Sequence, residues 1–358
     1  MPRSRFERAA MRAVVTAVPP TVRRIDDDAE LLGNNPAQLE RIKKTIGLNE
    51  RRVVAEGTTT ADLCEAAARH LLEHSSLEPA RIDALVCVTQ TPDFFQPCNA
   101  ALLHGKLGLP TSCACFDVNL GCSGYVYALW LAWMMVESGS CENVVVLAGD
   151  TISCQTHPRD RAVAPLFGDG GSATWVAAAD QARPAWFDLH TDGTGFGHLI
   201  VPGGAFRQPP SPATQAEVTD DDGNVRTAQN LYMNGAEVFN FSIKVEPKAI
   251  RELLDFAGMA ADAVDAFVFH QANRYIISNI VRRLKVPLEK APCDVVEKYG
   301  NQSSASIPSA LCESLGPELC QSPRRLVLSG FGVGLSWASL LTETGPLECA
   351  EMLFLKEG

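Results

Sequence analysis

RIDALVCV, at Arg81–Val88, has a counterpart far along the chain in AVDAFVFH, at Ala263–His270: an acid followed by a short, nearly continuous apolar run. The two acids, Asp83 and Asp265, stand 182 residues apart. The same spacing sets RHLLEHS (Arg69–Ser75) beside RELLDFA (Arg251–Ala257) and ENVVVLAG (Glu142–Gly149) beside RRLVLSGF (Arg324–Phe331). It also sets VYAL, ending at Leu129, beside PSAL, ending at Leu311. Any two α/β units look alike, but that likeness does not hold one register across four segments without a gap. An internal duplication does.

Each copy predicts the order helix, strand, helix, strand, helix, strand. In the first, Ala61–His74 is an amphipathic helix with Leu63, Ala67, Leu71 and Leu72 at helical spacing. Strands are expected at Asp83–Val88, Ala114–Val118 and Val144–Leu147, with helices at Asn99–Leu107 and from Cys122 onward. Apolar strands separated by helices imply a parallel sheet buried on both faces, which binds ligands at its carboxyl edge. The chain divides accordingly into a first half at 1–182, connecting loops and strands at 183–228, and a second half at 229–358. Thr191–Arg226, rich in Gly, Pro and Asp, reads as an irregular excursion, a lid or a rim loop.

A length of 358 residues exceeds what one hydrophobic core usually covers, which suits two fused halves. Hydrophobic content of 46% and charged content of 20% are those of an ordinary globular protein. The net charge of -11 argues against a general nucleic-acid binder, because phosphate backbones are repelled. Twelve cysteines sit mostly inside apolar segments rather than in a loop-rich disulfide framework. The first residues show no signal-peptide h-region, and the apolar run Tyr125–Val136 is too short for a membrane span and reads as a buried helix. A cytoplasmic protein with free thiols is expected.

DVNLGCSGYVYALWLAWMMV (Asp117–Val136) puts Cys122 at the turn between a strand and an apolar helix. Helix N-termini favour anions, so the thiol pKa is expected to be lowered and the sulfur to be nucleophilic. A packed, inert core cysteine is the competing reading. His270 ends the second-copy strand, and Asn301 in EKYGNQSSAS stands ahead of a helix. A core histidine and a helix N-cap are the bland readings of these two, and their equivalence to the Cys122 region under the repeat raises both. Gly330, Gly332 and Gly334 in LVLSGFGVGLSWASLL suit backbone passing close to a ligand, as an oxyanion hole does. A dinucleotide fingerprint fails there, because position 335 is leucine. Cys113-x-Cys115 lacks a second pair or a nearby histidine for metal, and FGDGGSA (Phe167–Ala173) lacks the Lys-Ser/Thr of a phosphate loop and reads as a turn entering a strand.

DVNLGCSGYVYAL, FGDGGSA, HQANRYIIS, YGNQSSASIPSAL and GFGVGLSWAS resemble, in order and spacing, the β-ketoacyl-acyl-carrier-protein synthase III branch of the thiolase superfamily. The resemblance runs from about Met11 to about Thr344 and implies the five-layered αβαβα thiolase fold. It implies a nucleophile at Cys122 with His270 and Asn301 as partners, and an oxyanion hole from the main chain of Cys122 and Val333. It implies substrate contacts at Phe95, Ile152, Arg161, Asn273, Arg274 and Gly332, with Phe95 reaching the partner's acyl pocket in a homodimer. The implied reaction is decarboxylative Claisen condensation of an acyl thioester, usually acyl-CoA, with malonyl-acyl carrier protein, without metal or redox cofactor. The alternative is acyl transfer to another acceptor with no carbon–carbon bond formed. Retention of Asn301 favours condensation, and retention of Cys122 argues against a non-catalytic partner subunit. The chain departs from the pattern in PAQLERIKKTIGLNERR, which lacks the tryptophan that stacks on adenine in housekeeping members; Lys43, Lys44, Arg51 and Arg161 are left as candidates for phosphate. Arg274 stands one place before the family's basic position, which Tyr275 occupies; with Arg282, Arg283 and Lys285 it forms an expected landing for an acidic carrier protein.

Overall fold

Two sheets organise the described residues, 2–356 of this computed structural model. Their strands, in chain order, are β1 (Arg3–Phe6), β2 (Ala9–Val18), β3 (Ala84–Val88), β4 (Ala114–Val118), β5 (Asn143–Asp150), β6 (Gly170–Ala178) and β7 (Ala185–Thr191). They continue with β8 (Ala266–Phe269), β9 (Arg324–Gly332), β10 (Ser336–Thr344) and β11 (Cys349–Phe354). The main helices are α1 (Thr60–Glu73), α2 (Asn99–Lys106), α3 (Gly124–Glu137), α4 (Gly235–Ala257), α5 (Arg274–Leu284) and α6 (Ser306–Gln321). The first sheet runs β11-β2-β6-β5-β3-β4 and the second β1-β7-β10-β9-β8.

Local chemistry starts the helices where the pattern expects them. Thr59 caps α1 through Asp62 N–H, and the Asp62 carboxylate returns a bond to Thr59 N–H, which closes a capping box. Leu63, Ala67 and Leu71 then bury one stripe against the first sheet, while the opposite face stays wet. α3 has no such asymmetry. Fourteen residues with a single charge, Glu137, make it apolar all round, and it packs against both sheets. Trp133 and Tyr125 on it are wholly buried, and truncating either would cost about 3–5 kcal/mol. α6 shares this middle layer; α1 and α2 cover the outer face of the first sheet, and α4 and α5 that of the second. The result is five layers.

Three expectations are corrected. The sheets are mixed: β3 pairs parallel with β4 and β5, and β8 with β9, but β6 runs antiparallel to β2 and β5, and β10 to β9 and β7. A three-residue connection between β9 and β10 can only reverse the chain. The second copy lacks one strand, since the counterpart of β4 is a helix at Val295–Tyr299, with Val295, Val296 and Tyr299 turned inward at helical spacing. Sheet membership also crosses the linear division at 182 and 228: β1 joins the second sheet beside β7, and β11 joins the first beside β2. The 182 register otherwise holds, with α1, β3, α3 and β5 standing where α4, β8, α6 and β9 recur. Residues 199–234 carry only short two-stranded ribbons and one turn of helix.

Candidate active site

Strand β4 ends at Val118, and α3 begins only at Gly124, so Cys122 lies in the intervening turn rather than in the helix. The glycines around it answer to space. A Cβ on Gly121 would lie 2.5 Å from Gln90 Oε1, and one on Gly124 would lie 2.5 Å from Val88 Cγ1. Strand β9 crosses directly over the turn: a Cβ at Gly330 would meet the Cys122 carbonyl oxygen at 2.5 Å, and one at Gly332 the sulfur at 2.8 Å. Only bare backbone fits there.

The thiol is not the lowered one expected from a helix terminus. Burial, then the Asp150 carboxylate, pushes it up to about 11, with Ser303 Oγ and the N–H groups of Val333 and Cys122 opposing the shift. Asp150, at the end of β5, is wholly buried and accepts from Gln90 N (2.7 Å), Ser304 N (3.1 Å) and Ser304 Oγ (2.7 Å). It ties the ends of β3 and β5 to the turn before α6. An acid closing a buried apolar strand is a visible signal, and the sequence reading passed over it.

His270 follows β8 and is 2% exposed. Its N–H donates to Ser329 O at 2.7 Å, and Nδ1 lies 2.7 Å from Ser306 Oγ. Ser306 Oγ also accepts the N–H of Gln271 at 3.2 Å; with its own hydrogen assigned to Nδ1, the ring proton falls on Nε2. Burial pulls the imidazole down to about 3, which leaves it neutral at physiological pH. Asn301 is pinned by its main chain: N donates to Leu166 O (2.9 Å), and O accepts from Gly168 N (3.1 Å). The FGDGGSA stretch thus serves both as the turn into β6 and as the clamp on Asn301. Asn301 Oδ1 accepts from Ser303 N at 3.0 Å, whereas Nδ2 has no protein partner among the described residues.

The three side chains do not bond one another directly. They meet around Ser303, whose Oγ is 4.0 Å from Cys122 Sγ, whose N–H is held by Asn301, and whose main chain works against the downward shift of the His270 imidazole. Ser303 has φ of 49°, a left-handed conformation costly for a residue with a side chain. Sequence reasoning missed it, because a serine in QSSAS carries no distinguishing pattern.

The remaining expected positions scatter. Ile152 is buried with Val163, Phe167, Leu199 and Leu231, and Val333 packs on this apolar cluster. Asn273 caps α5 through Ile276 N at 2.8 Å, so its carbonyl oxygen is already engaged. Arg274 lies against Gly47, and Arg161 donates to the carbonyl of Asp222 in the irregular excursion. Phe95 is 80% exposed beside Phe206. Arg51 is withdrawn from any phosphate: it is buried against Asp28 at 2.6 Å, and Lys43 is paired with Asp26. A groove of about 740 Å³ opens between Asn35–Ile46 and Tyr275, and its lining includes Arg41 but none of Cys122, His270 or Asn301.

A duplicated five-layered fold with a thiol, an imidazole and a carboxamide brought from three separate segments to one buried serine defines the class of thiolase-fold condensing enzymes. Sequence models described as 3-oxoacyl-[acyl-carrier-protein] synthase III and its C-terminal part match residues 116–193 and 254–344. A β-ketoacyl-[acyl-carrier-protein] synthase III of Caldanaerobacter subterraneus is 35% identical, with 84% of this chain and 88% of that protein covered. One from Sulfurimonas denitrificans is 32% identical over 95% of this chain and 99% of its own. The crystal structure of a 3-oxoacyl-(acyl-carrier protein) synthase from Burkholderia xenovorans LB400 superposes with a TM-score of 0.92, at 36% identity and 99% coverage of both chains. The chain belongs to the 3-oxoacyl-[acyl-carrier-protein] synthase III family. It is a transferase of the condensing type, and its reaction is the Claisen condensation of fatty-acid biosynthesis.

Proposed function

We propose that Cys122 carries the acyl group of this condensation and that His270 and Asn301 serve the decarboxylation of the second substrate. The observation that carries the reading is the convergence on Ser303, with the Val333 N–H turned toward the sulfur. In the first half-reaction the thiol attacks an acyl thioester. The carbon–sulfur bond to the donor breaks, and the cysteine proton leaves with the departing thiol. The N–H groups of Cys122 and Val333 stand where the tetrahedral oxyanion develops. In the second, a malonyl thioester on acyl carrier protein loses carbon dioxide. Nε2–H of His270 and Nδ2 of Asn301 donate to the thioester oxygen as the enolate forms, and a neutral imidazole suits a donor of this kind. The enolate carbon then attacks the acyl-enzyme, and the released cysteine sulfur takes up one proton.

The apolar cluster of Ile152, Val163, Phe167 and Leu199 supports its assignment to the acyl chain. Gly332, Asn273, Arg274 and Arg161 contact the thioester arm in this reading. Strand β4 ends the first sheet, with no partner on its outer side among the described residues, and Phe94 and Phe95 stand exposed on the loop between β3 and α2; both support a homodimer. Twelve free thiols support a cytoplasmic setting, and no described helix is long and apolar enough to cross a membrane.

Incubation with acyl-CoA and malonyl-carrier labelled in the free carboxyl tests the reading. Labelled carbon dioxide and a 3-oxoacyl product in equal amounts are expected, with an acyl adduct on Cys122 by intact-protein mass spectrometry. Acyl transfer without either product would overturn it.

A further inference from the structure

On the far side of the first sheet, α1 and the edge strand β11 bring together side chains from opposite ends of the chain. His70 and Glu351, 281 positions apart, meet with Nε2 and Oε2 2.6 Å from each other. Cys349 precedes Glu351 by two residues on β11, and side chains two apart on a strand share a face. The imidazole nitrogen, the Cys349 sulfur and a Glu351 oxygen all lie within 4.8 Å of one another. His74, one turn beyond His70, stacks on its ring with centroids 3.9 Å apart, and is itself anchored by Nδ1 to the His70 carbonyl at 2.9 Å.

We propose that His70, Cys349 and Glu351 form a site for a borderline-soft divalent transition metal, of which Zn²⁺ is the type. Sulfur with imidazole selects such an ion over Mg²⁺ or Ca²⁺, which take oxygen donors. Three donors from the protein fit a tetrahedral ion, whose fourth position opens to solvent on the Glu351 side. Tetrahedral bond lengths near 2.1 Å separate nitrogen and oxygen ligands by roughly 3.4 Å. Glu351, with its side chain 53% exposed, has the freedom to make that small retreat from His70, whereas Cys349, at 3% exposure, is fixed by the sheet. The stacked His74 holds the His70 ring. The ion's role is that of a clip: among the described residues β11 pairs only with β2, and the metal ties its outer face to α1. This site is separate from the Cys122 turn, so the chemistry there does not depend on it.

The test uses metal-stripped full-length protein. Titration with Zn²⁺ by calorimetry should give one site per chain, and Co²⁺ should show a thiolate-to-cobalt charge-transfer band. Cys349→Ser should abolish the band. His70→Gln and Glu351→Gln should each weaken Zn²⁺ binding at least tenfold, and Cys122→Ser should leave both readouts unchanged. Zn²⁺ should raise the thermal midpoint of the native protein and not that of His70→Gln. Absence of stoichiometric binding, a site that survives His70→Gln, or a band lost in Cys122→Ser would overturn the proposal. The two partly exposed positions keep the test decisive even where Cys349→Ser fails to fold.

Discussion

Ser303 Oγ and the N–H groups of Val333 and Cys122 favour charge on the Cys122 sulfur, while burial and Asp150 oppose it. Charge at a helix terminus is worth about 0.3–1 kcal/mol, less than one pKa unit, whereas full burial moves a group by up to about 3–5 units. Burial therefore wins, and the resting sulfur is a protonated thiol. Below a pKa of about 11 the thiolate fraction grows tenfold per pH unit. Iodoacetamide labelling of the Cys122 peptide, followed by mass spectrometry, should accelerate by nearly that factor for each unit between pH 7 and 9. A plateau already reached at pH 7 would contradict the geometry described. Turn position and glycine spacing were legible in the sequence; the balance of field against burial was not, because Asp150 reaches the cysteine only through the sheet.

At the scale of elements, most of the duplication is local and therefore readable. Capping box, apolar stripe and buried strand each announce themselves within a few residues. Asn273 illustrates the limit. Position in HQANRY suggested substrate contact, while the fold employs its oxygen as the cap of α5. Replacing it by alanine should lower the unfolding free energy read from urea titration by about 1 kcal/mol. Asn273→Ser keeps a capping oxygen and loses the Nδ2 donors, so native-like unfolding together with a raised KM for the thioester is expected. Unchanged KM in Asn273→Ser would confine the residue to capping. The missing second-copy strand has a similar origin: Val295 and Val296 are good strand formers, but with Tyr299 they are buried at helical spacing.

Across the whole molecule, buried ionisable groups set the pH response. Glu246 on α4 is wholly buried, its Oε2 accepting from Ser329 Oγ at 2.6 Å, and desolvation raises it from 4.5 to about 8. Its contribution to stability is complete below pH 4.5 and is lost as pH rises through about 8. His270 acts on the other limb: depressed from 6.5 to about 3, it contributes fully above pH 6.5, and that contribution is lost as pH falls through about 3. Urea unfolding should therefore weaken by about 1–2 kcal/mol between pH 7 and 9, and Glu246→Gln should flatten that limb. An identical slope in the variant would show that the carboxyl is not held protonated.

The residues themselves determined the repeat, the helix starts and the places where sulfur, imidazole and carboxamide stand, because each follows from periodicity within a segment or from one fixed spacing along the chain. Tertiary structure alone decided that these groups gather on Ser303, that the thiol rests protonated, that β1 and β11 trade sheets, and that His70 faces Cys349. Contacts between distant segments depend on how layers stack, and desolvation depends on what covers a group; neither is carried by neighbours in sequence.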